Sequence, residues 1–198
     1  NKKLNHIIEH KKYRTKIKKV VETRNVRQST FVLGCKIESM DSFEMQYVAS
    51  AYSFILGGSP DSKLFMNVRE KNSLCYSISS VISPVTNSMF IYAGIDKKDY
   101  KKVLKETINQ IDAMSRGEFD LEDIESAKIT YKCGLKEIYD SLVTMASTIA
   151  SQEYLMFDSL EDRIKKIDMV TKDDIIKLSK KIKLDSVYLL KGVLDENN

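Results

Sequence analysis

The sequence predicts an α+β domain with two layers, in which an antiparallel sheet is covered on one face by helices. Segments 73–82 and 87–95 are rich in β-branched and aromatic residues, and a hairpin-length connection joins them. Apolar residues recur at helical spacing through most of the second half of the chain. A chain of 198 residues that is 42% hydrophobic can bury its own core, which favours one domain of this class.

The first half of the chain predicts a strand and two helices ahead of that hairpin. The segment "STFVLGCKI" (29–37) indicates a strand because β-branched and aromatic residues dominate it. Apolar residues at helical spacing predict a helix over 42–58, which the pair Gly57-Gly58 is expected to cap. Segment 59–72 has a proline near its first turn and predicts a short helix.

The second half predicts helices and a final strand. Ser159 and Thr171 are each followed three residues later by an aspartate, the arrangement in which a side-chain oxygen caps free helix amides. Residues 1–17 are assigned to a basic linker or N-terminal extension, and residues 18–198 to the domain. The predicted elements are helices at 97–114, 120–157 with a break near 140–141, 159–167 and 171–182, and a strand at 185–193.

Composition excludes several classes of protein. The net charge of +4 is small, and lysines alternate with acids, which indicates solvated helix faces and no nucleic-acid surface. No apolar run reaches the roughly 18 residues of a membrane helix, so no membrane contact is expected. The three cysteines, Cys35, Cys75 and Cys133, are widely spaced and odd in number, which predicts buried free thiols in the cytoplasm and no disulfide framework.

The most specific stretch is "LGGSPDSKLFMNVREKNSLCYSISS", residues 56–80, in which a short helix with Arg69 leads through a turn to a strand with Tyr76. Its pattern resembles the C-terminal half-domain of the pitrilysin/insulinase metallopeptidases, which include the mitochondrial processing peptidases. Within that family the chain resembles a bacterial member associated with modification of elongation factor P. The segments that carry the resemblance are Leu56-Gly57-Gly58, Ser62-Lys63-Leu64-Phe65, Val68-Arg69-Glu70-Lys71 and Leu74-Cys75-Tyr76-Ser77.

The resemblance implies a role for two residues. In the family, two homologous halves face one another, the N-terminal half holds zinc, and the C-terminal half contributes an arginine and a tyrosine seven residues apart. Arg69 and Tyr76 have this separation, so they are expected to bind the substrate backbone and stabilise the oxyanion. An always-charged guanidinium and a neutral phenol are suitable donors for that purpose. Read without the motif, Arg69 is an ordinary surface residue and Tyr76 a half-buried strand residue, while Cys75 is expected in the core on the opposite face.

The resemblance therefore implies the substrate-binding half of a zinc-dependent endopeptidase, inactive by itself. The implied partners are an N-terminal zinc-binding half or a zinc-bearing partner subunit, and a peptide substrate. The alternative is a catalytically inactive structural or assembly subunit of the same family, although a scaffold needs neither Arg69 nor Tyr76 at that spacing. A lone half also exposes a surface meant for its mate, so a homodimer is possible.

A second motif, "HIIEH" at 6–10, spells an inverted zinc-peptidase signature through His6, Glu9 and His10. A catalytic zinc also needs a third protein ligand. The window where the family places that ligand, about residues 80–90, contains no acid. The motif also runs into the basic segment "KKYRTK". The preferred interpretation is an amphipathic linker, so the chain is expected to bind no metal and zinc is assigned to the complete enzyme.

Overall fold

Strand β2, Ser29–Ile37, runs through the middle of the sheet and carries much of the core. In the computed structural model, which describes residues 16–193, its side chains alternate between a buried face and a less buried one. Phe31, Leu33 and Cys35 all lie on the buried face. This period of two is what a strand with one covered face requires.

Five strands form one sheet in the order β1-β5-β2-β4-β3. The pairs β2–β4, β2–β5 and β3–β4 are antiparallel, whereas β1 and β5 are parallel. β3 and β1 are therefore the two edges of the sheet. The remaining strands are β1 (Lys18–Arg24), β3 (Ser77–Ser83), β4 (Ser88–Ile95) and β5 (Ile182–Gly192).

Helices cover one face of this sheet. The first, α1 (Ala49–Ser53), continues at both ends into π-helical turns, Glu44–Val48 and Phe54–Gly58, and a third π-helical turn forms the Phe65–Glu70 helix. The fold class predicted from the sequence is confirmed. The later helices are α2 (Tyr100–Ser115), α3 (Leu121–Glu137), α4 (Leu142–Leu155), α5 (Leu160–Lys166) and α6 (Lys172–Lys180).

The predicted helix boundaries in the second half are close to those observed. The break expected near residues 140–141 separates α3 from α4. The hydroxyl of Ser159 accepts a hydrogen bond from the backbone N–H of Asp162, and Thr171 forms a reciprocal capping box with Asp174. Both caps are therefore confirmed. They can be predicted from sequence because each cap depends on residues only three positions apart.

The sheet differs from the prediction at one edge. The sequence predicts no strand at β1, and β1 pairs with β5 in parallel in a sheet whose other pairs are antiparallel, as predicted. The sequence of β1, "KKVVETR", has only two apolar residues, Val20 and Val21, and the other residues of the strand are polar. As an edge strand it buries little, so its position depends on hydrogen bonds to β5, more than 150 residues later in the chain.

The cysteines were predicted as buried thiols, and this is correct for one of them. Cys35 lies in the core, and burial raises the pKa of its thiol to about 12. Cys75 is half-buried against the core, and Cys133 is exposed on α3, so the expectation is wrong there. Among the described residues, no helix has both the length and the apolar character needed to cross a membrane.

A polar network joins the first helical segment to the chain before α5. The phenol of Tyr47 donates to Asp158 Oδ2 at 2.6 Å, and Lys166 Nζ lies 2.9 Å from Asp158 Oδ1. The side-chain oxygen of Gln46 accepts from the backbone N–H of Asp158 at 2.7 Å. The hydrogen bond from Tyr47, together with Lys166, lowers the pKa of the Asp158 carboxyl. The network therefore stabilises the ionised carboxylate.

Tyr47→Phe should lower the free energy of unfolding at neutral pH by about 1 to 2 kcal/mol, because a charge-assisted hydrogen bond is lost. The folded-state pKa of Asp158 is below its ordinary value. This stabilisation is therefore fully present above about pH 4 and is lost as the pH falls through the folded-state pKa. Urea unfolding of both proteins at several pH values should show the difference shrinking in acid. The control, Tyr139→Phe at an exposed site, should change stability little; an equal loss there would contradict the assignment.

Candidate functional site

The turn that leads to Arg69 is fixed against β3 by close packing. A Cβ at Gly57 would lie 2.7 Å from the backbone nitrogen of Ser80, closer than real contacts allow. Beside it, the hydroxyls of Ser53 and Ser80 each donate to the other's carbonyl oxygen at 3.1 Å. The predicted helix end at Gly57-Gly58 is confirmed. Gly57 has an extended φ of −160°, so glycine is needed there for the close approach and not for a left-handed cap.

Arg69 projects from the Phe65–Glu70 helix, which is anchored by the fully buried Val68. The guanidinium carbon of Arg69 lies 4.4 Å from the centroid of the Phe65 ring, a cation–π contact. Its other close neighbour is Glu70, with Nη1 and Oε1 3.6 Å apart. That separation is too long for a hydrogen bond, so the guanidinium is positioned by the cation–π contact with Phe65 and a loose ion pair with Glu70.

A tight turn connects this helix to the strand. Ser73 has a φ of +49°, in the left-handed region, and its N–H donates to the carbonyl of Arg69 at 2.9 Å. The N–H of Leu74 donates to the carbonyl of Val68 at 3.0 Å. These two hydrogen bonds close the turn that follows the helix and change the direction of the chain toward β3. The sequence predicts a strand from residue 73, but residues 73–76 form the turn and its exit, and β3 begins at Ser77.

Tyr76 is the last residue before β3. Its N–H donates to the carbonyl of Gly94 at 2.8 Å, so the backbone is fixed to β4, while 58% of the residue is exposed. Arg69 and Tyr76 line the same surface cleft of about 500 Å³. They are neither on opposite sides of the sheet nor sealed in the core, which a shared binding role requires. The full lining is Arg69, Glu70, Ser73, Leu74, Cys75, Tyr76, Asp96, Lys98 and Asp99.

Three charged residues in this lining were not foreseen. Asp96, Lys98 and Asp99 belong to the turn between β4 and α2, and the register of β4 brings them to the cleft. Asp96 accepts from the backbone N–H of Lys98 at 3.0 Å, and this bond together with the Lys98 ammonium lowers the pKa of the Asp96 carboxyl. The sequence feature that could have indicated these residues is the run of charges at 96–99 directly after a strand. Such runs are common on protein surfaces, so it is not specific.

Cys75 also lines the cleft, contrary to the expectation that it points away from Tyr76. Strand alternation does not apply because residues 73–76 form the turn and its exit. Burial raises the pKa of the Cys75 thiol to about 11, with the positive charge of Arg69 acting in the opposite direction. The thiol is therefore neutral at physiological pH and is a poor nucleophile.

Metal ligation has little support in the part of the chain that the structure describes. Residues 16–193 contain no group of three His, Cys, Asp or Glu side chains placed to hold a metal ion. His6, Glu9 and His10 lie outside the described residues. The described residues therefore do not fit a zinc ion.

Comparison with known proteins identifies the family. A family profile described as the peptidase M16 inactive domain matches residues 3–131. The chain belongs to this family. The "Probable inactive metalloprotease YmfF" of Bacillus subtilis is 32% identical over 177 residues, 88% of this chain and 41% of the relative. An "Uncharacterized zinc protease" of Rickettsia bellii is 27% identical over 80% of this chain and 39% of the relative.

A solved structure gives the same result for the fold of this M16 inactive domain. A conserved protein from Enterococcus faecalis V583 is 28% identical, with a TM-score of 0.85 over 95% of this chain and 44% of that chain. The expected relation to zinc metallopeptidases is confirmed at the level of the family. The chain spans about two fifths of the length of the curated relatives it matches.

Ser73→Val should destabilise the domain by about 1 kcal/mol or more relative to Ser73→Gly, because a β-branched residue is strained at positive φ whereas glycine is not. Thermal and urea unfolding of the two variants measure this difference. Ser79→Val in β3, where the residue is exposed and extended, is the matched control and should be neutral or stabilising. Equal effects of valine at both positions would show that the turn does not constrain the backbone.

Proposed function

We propose that this M16 inactive domain is the substrate-binding, transition-state-stabilising half of a zinc-dependent endopeptidase. Arg69 and Tyr76 supply the binding groups. The observation that carries the proposal is that both residues line one solvent-accessible cleft, where the end of the helix and the strained turn before β3 bring them together. A purely structural domain needs no such convergence of a guanidinium and a phenol.

The chemistry of the pair suits a peptide carbonyl. A guanidinium stays charged at every physiological pH and offers several N–H donors in fixed directions. The phenol of Tyr76 adds a neutral donor. Both can hold the carbonyl oxygen of an extended peptide and favour the negative charge that develops on it during cleavage. In other hydrolases, one lost donor of this kind costs roughly 3 to 4 kcal/mol.

Zinc belongs, in this proposal, to another polypeptide segment. Because residues 16–193 offer no ligand set, the role of this domain is confined to binding and orienting the peptide and stabilising charge on its carbonyl oxygen. The zinc-bearing half is either a further region of a longer chain or a separate partner subunit. The length of the relatives, of which this chain spans 41% and 39%, leaves room for such a region. The domain alone is expected to cleave nothing.

The second candidate is a catalytically inactive structural or assembly subunit. The observation in its favour is the name of the Bacillus subtilis relative, "Probable inactive metalloprotease YmfF". In that case the cleft would bind a segment of a partner protein without contributing to any reaction. The presence of both Arg69 and Tyr76 in the cleft favours the peptidase role.

Two narrower expectations remain predictions. A cytoplasmic location is supported by Cys35, Cys75 and Cys133, all of which are free thiols. A connection to elongation factor P modification rests on the sequence resemblance alone, and no residue of the cleft bears on it.

Arg69→Ala and Tyr76→Phe should each lower peptide turnover ten-fold or more when the domain is combined with its zinc-bearing half. Each change removes one donor to the carbonyl oxygen. The measurement is the rate of cleavage of a fluorogenic peptide library by the reconstituted enzyme. Lys71→Ala, at an exposed position next to the cleft helix, is the control and should keep the wild-type rate.

Two outcomes of that assay separate the proposals. Wild-type rates in both cleft variants would leave the pair without a catalytic role. Assembly with the partner but no cleavage by the wild-type pair, with any peptide or metal supplied, would favour the structural subunit. Circular dichroism and unfolding curves of each variant show whether a lost rate reflects a lost fold.

Phe65→Leu should lower turnover about two- to five-fold, because it removes the ring that holds the Arg69 guanidinium, a contact worth about 0.5–1 kcal/mol. Phe65→Tyr keeps the aromatic face and should restore the rate. Nuclear magnetic resonance gives an independent measurement: the ring-current shift of the Arg69 side-chain protons should persist in Phe65→Tyr and vanish in Phe65→Leu. A persistent shift in Phe65→Leu would show that Phe65 does not hold Arg69.

A further inference from the structure

The helix that carries Arg69 is closed at its end partly by a side chain. Three carbonyls around its last turn accept hydrogen bonds from backbone N–H groups at 2.9 to 3.0 Å: those of Met66, Val68 and Arg69. The carbonyl of Asn67 accepts from the side-chain amide of Asn72 at 2.6 Å. The last carbonyls of a helix need partners from outside its regular bonding pattern, and a side chain can supply one. Asn72 therefore holds the end of this helix together.

The side chain of Asn67 joins the same helix to α2. Its amide nitrogen donates to the carbonyl of Lys63, one turn earlier, at 2.9 Å, and to Gln110 Oε1 on α2 at 3.2 Å. An amide group has two N–H donors, so both bonds can form at once. Gln110 is only 8% exposed, and its own amide nitrogen donates to Glu106 Oε1 at 2.7 Å. The contact with α2 is therefore made to a side chain that is itself fixed.

Asn67 and Arg69 lie on nearly opposite sides of their helix. Successive residues of an α-helix are rotated by about 100°, and those of a wider π-helical turn by somewhat less, so two positions correspond to roughly half a turn. Asn67 contacts α2, whereas Arg69 lines the cleft. A rotation of the helix about its axis would break the bond to Gln110 and turn the guanidinium away from the cleft. The bond to α2 therefore limits the rotation that sets the direction of Arg69.

The same bond connects the two sides of the cleft. Arg69 belongs to one side, and the turn at residues 96–99 on the other side leads directly into α2. Because α2 is one continuous helix of 16 residues, its contact with Asn67 ties the Arg69 helix to the element that follows the opposite side. The contacts of the guanidinium with Phe65 and Glu70 lie within its own helix, so they do not fix where that helix points.

We propose that Asn67 and Asn72 are positioning residues for Arg69. Asn67 sets the rotation of the helix through its bond to α2, and Asn72 holds the helix end from which the chain turns toward Tyr76. Neither asparagine is among the residues that line the cleft, so neither is expected to touch the peptide. The effect on turnover rests on the proposed function of Arg69, whereas the effect on the direction of its guanidinium does not. Donors held in place by such supporting bonds stabilise a transition state without first being ordered.

The first test is the rate of cleavage of the fluorogenic peptide library by the domain combined with its zinc-bearing half. Asn67→Ala and Asn72→Ala should each lower kcat/KM about three- to ten-fold, as expected for one lost hydrogen bond that holds a transition-state donor. In an Arg69→Ala background the same two changes should lower kcat/KM no further, because they act through the guanidinium. A full additional loss in that background would overturn the proposal, as would wild-type rates in both single variants.

The second test reads the position of the guanidinium in the 198-residue chain alone, through the thiol of Cys75. The positive charge of Arg69 acts to lower the pKa of this thiol, and the thiolate is the form that reacts. Alkylation of Cys75 by iodoacetamide at pH 8.5, followed by peptide mass spectrometry, should slow in both asparagine variants toward the rate in Arg69→Ala. Unchanged or faster alkylation in both variants would overturn the proposal. If Arg69→Ala cleaves peptides at the wild-type rate, the proposed function fails and the thiol rates alone decide the positioning.

Asn109→Ala is the matched control. The amide of Asn109 also donates to Glu106, at 3.1 Å, but it is exposed and this bond lies entirely within α2. Cleavage and alkylation should both keep their wild-type rates in this variant, and losses equal to those of Asn67→Ala would overturn the proposal. Asn72→Asp keeps the size of the side chain but removes the donor, so it should match Asn72→Ala. Asn72 is exposed, so its variants should fold, and circular dichroism with urea unfolding checks each protein.

Discussion

The close approach of Gly57 to the backbone of β3 is the constraint on which the cleft depends. Only a residue without a Cβ fits there, and the paired hydroxyl bonds of Ser53 and Ser80 hold the two segments at that distance. After this contact a turn at residues 59–62 leads into the helical segment that contains Phe65–Glu70. Because the exit of the helix is fixed, a turn of a few residues is enough to return the chain to the same strand.

The position of Arg69 and Tyr76 follows from that short return. Arg69 lies near the end of the helix and Tyr76 lies immediately before β3, so different elements of the fold hold their backbones. Val68 anchors the helix in the core, and Gly94 accepts the hydrogen bond that fixes Tyr76. The positive φ of Ser73 is strain that the surrounding contacts maintain. Preorganisation of this kind lowers the cost of ordering donors around a bound peptide.

Two motifs in this chain differ in the sequence context that surrounds them. Arg69 and Tyr76 are unremarkable as single residues, yet they occur inside a long ordered pattern, and the fold brings them to one cleft. His6, Glu9 and His10 match a metal signature by themselves but lack a third ligand in the expected window. A binding site needs groups from several segments, so the surrounding pattern is more informative than any short match.

The sequence by itself determined the α+β fold class, the helix caps at Ser159 and Thr171 and the helix end at Gly57-Gly58. The caps depend on residues only three positions apart, where local hydrogen bonds act, and the fold class follows from the periodicity of the segments. Arg69 and Tyr76 were selected because the pattern around them resembles a known family, and their role remains a proposal. Only the tertiary structure decided the parallel edge strand β1, the presence of Asp96 and Cys75 in the cleft, and the hydrogen bond that ties the Arg69 helix to α2. Those features arise from contacts between distant segments, and the periodicity of a segment does not specify which of its sides another segment will cover.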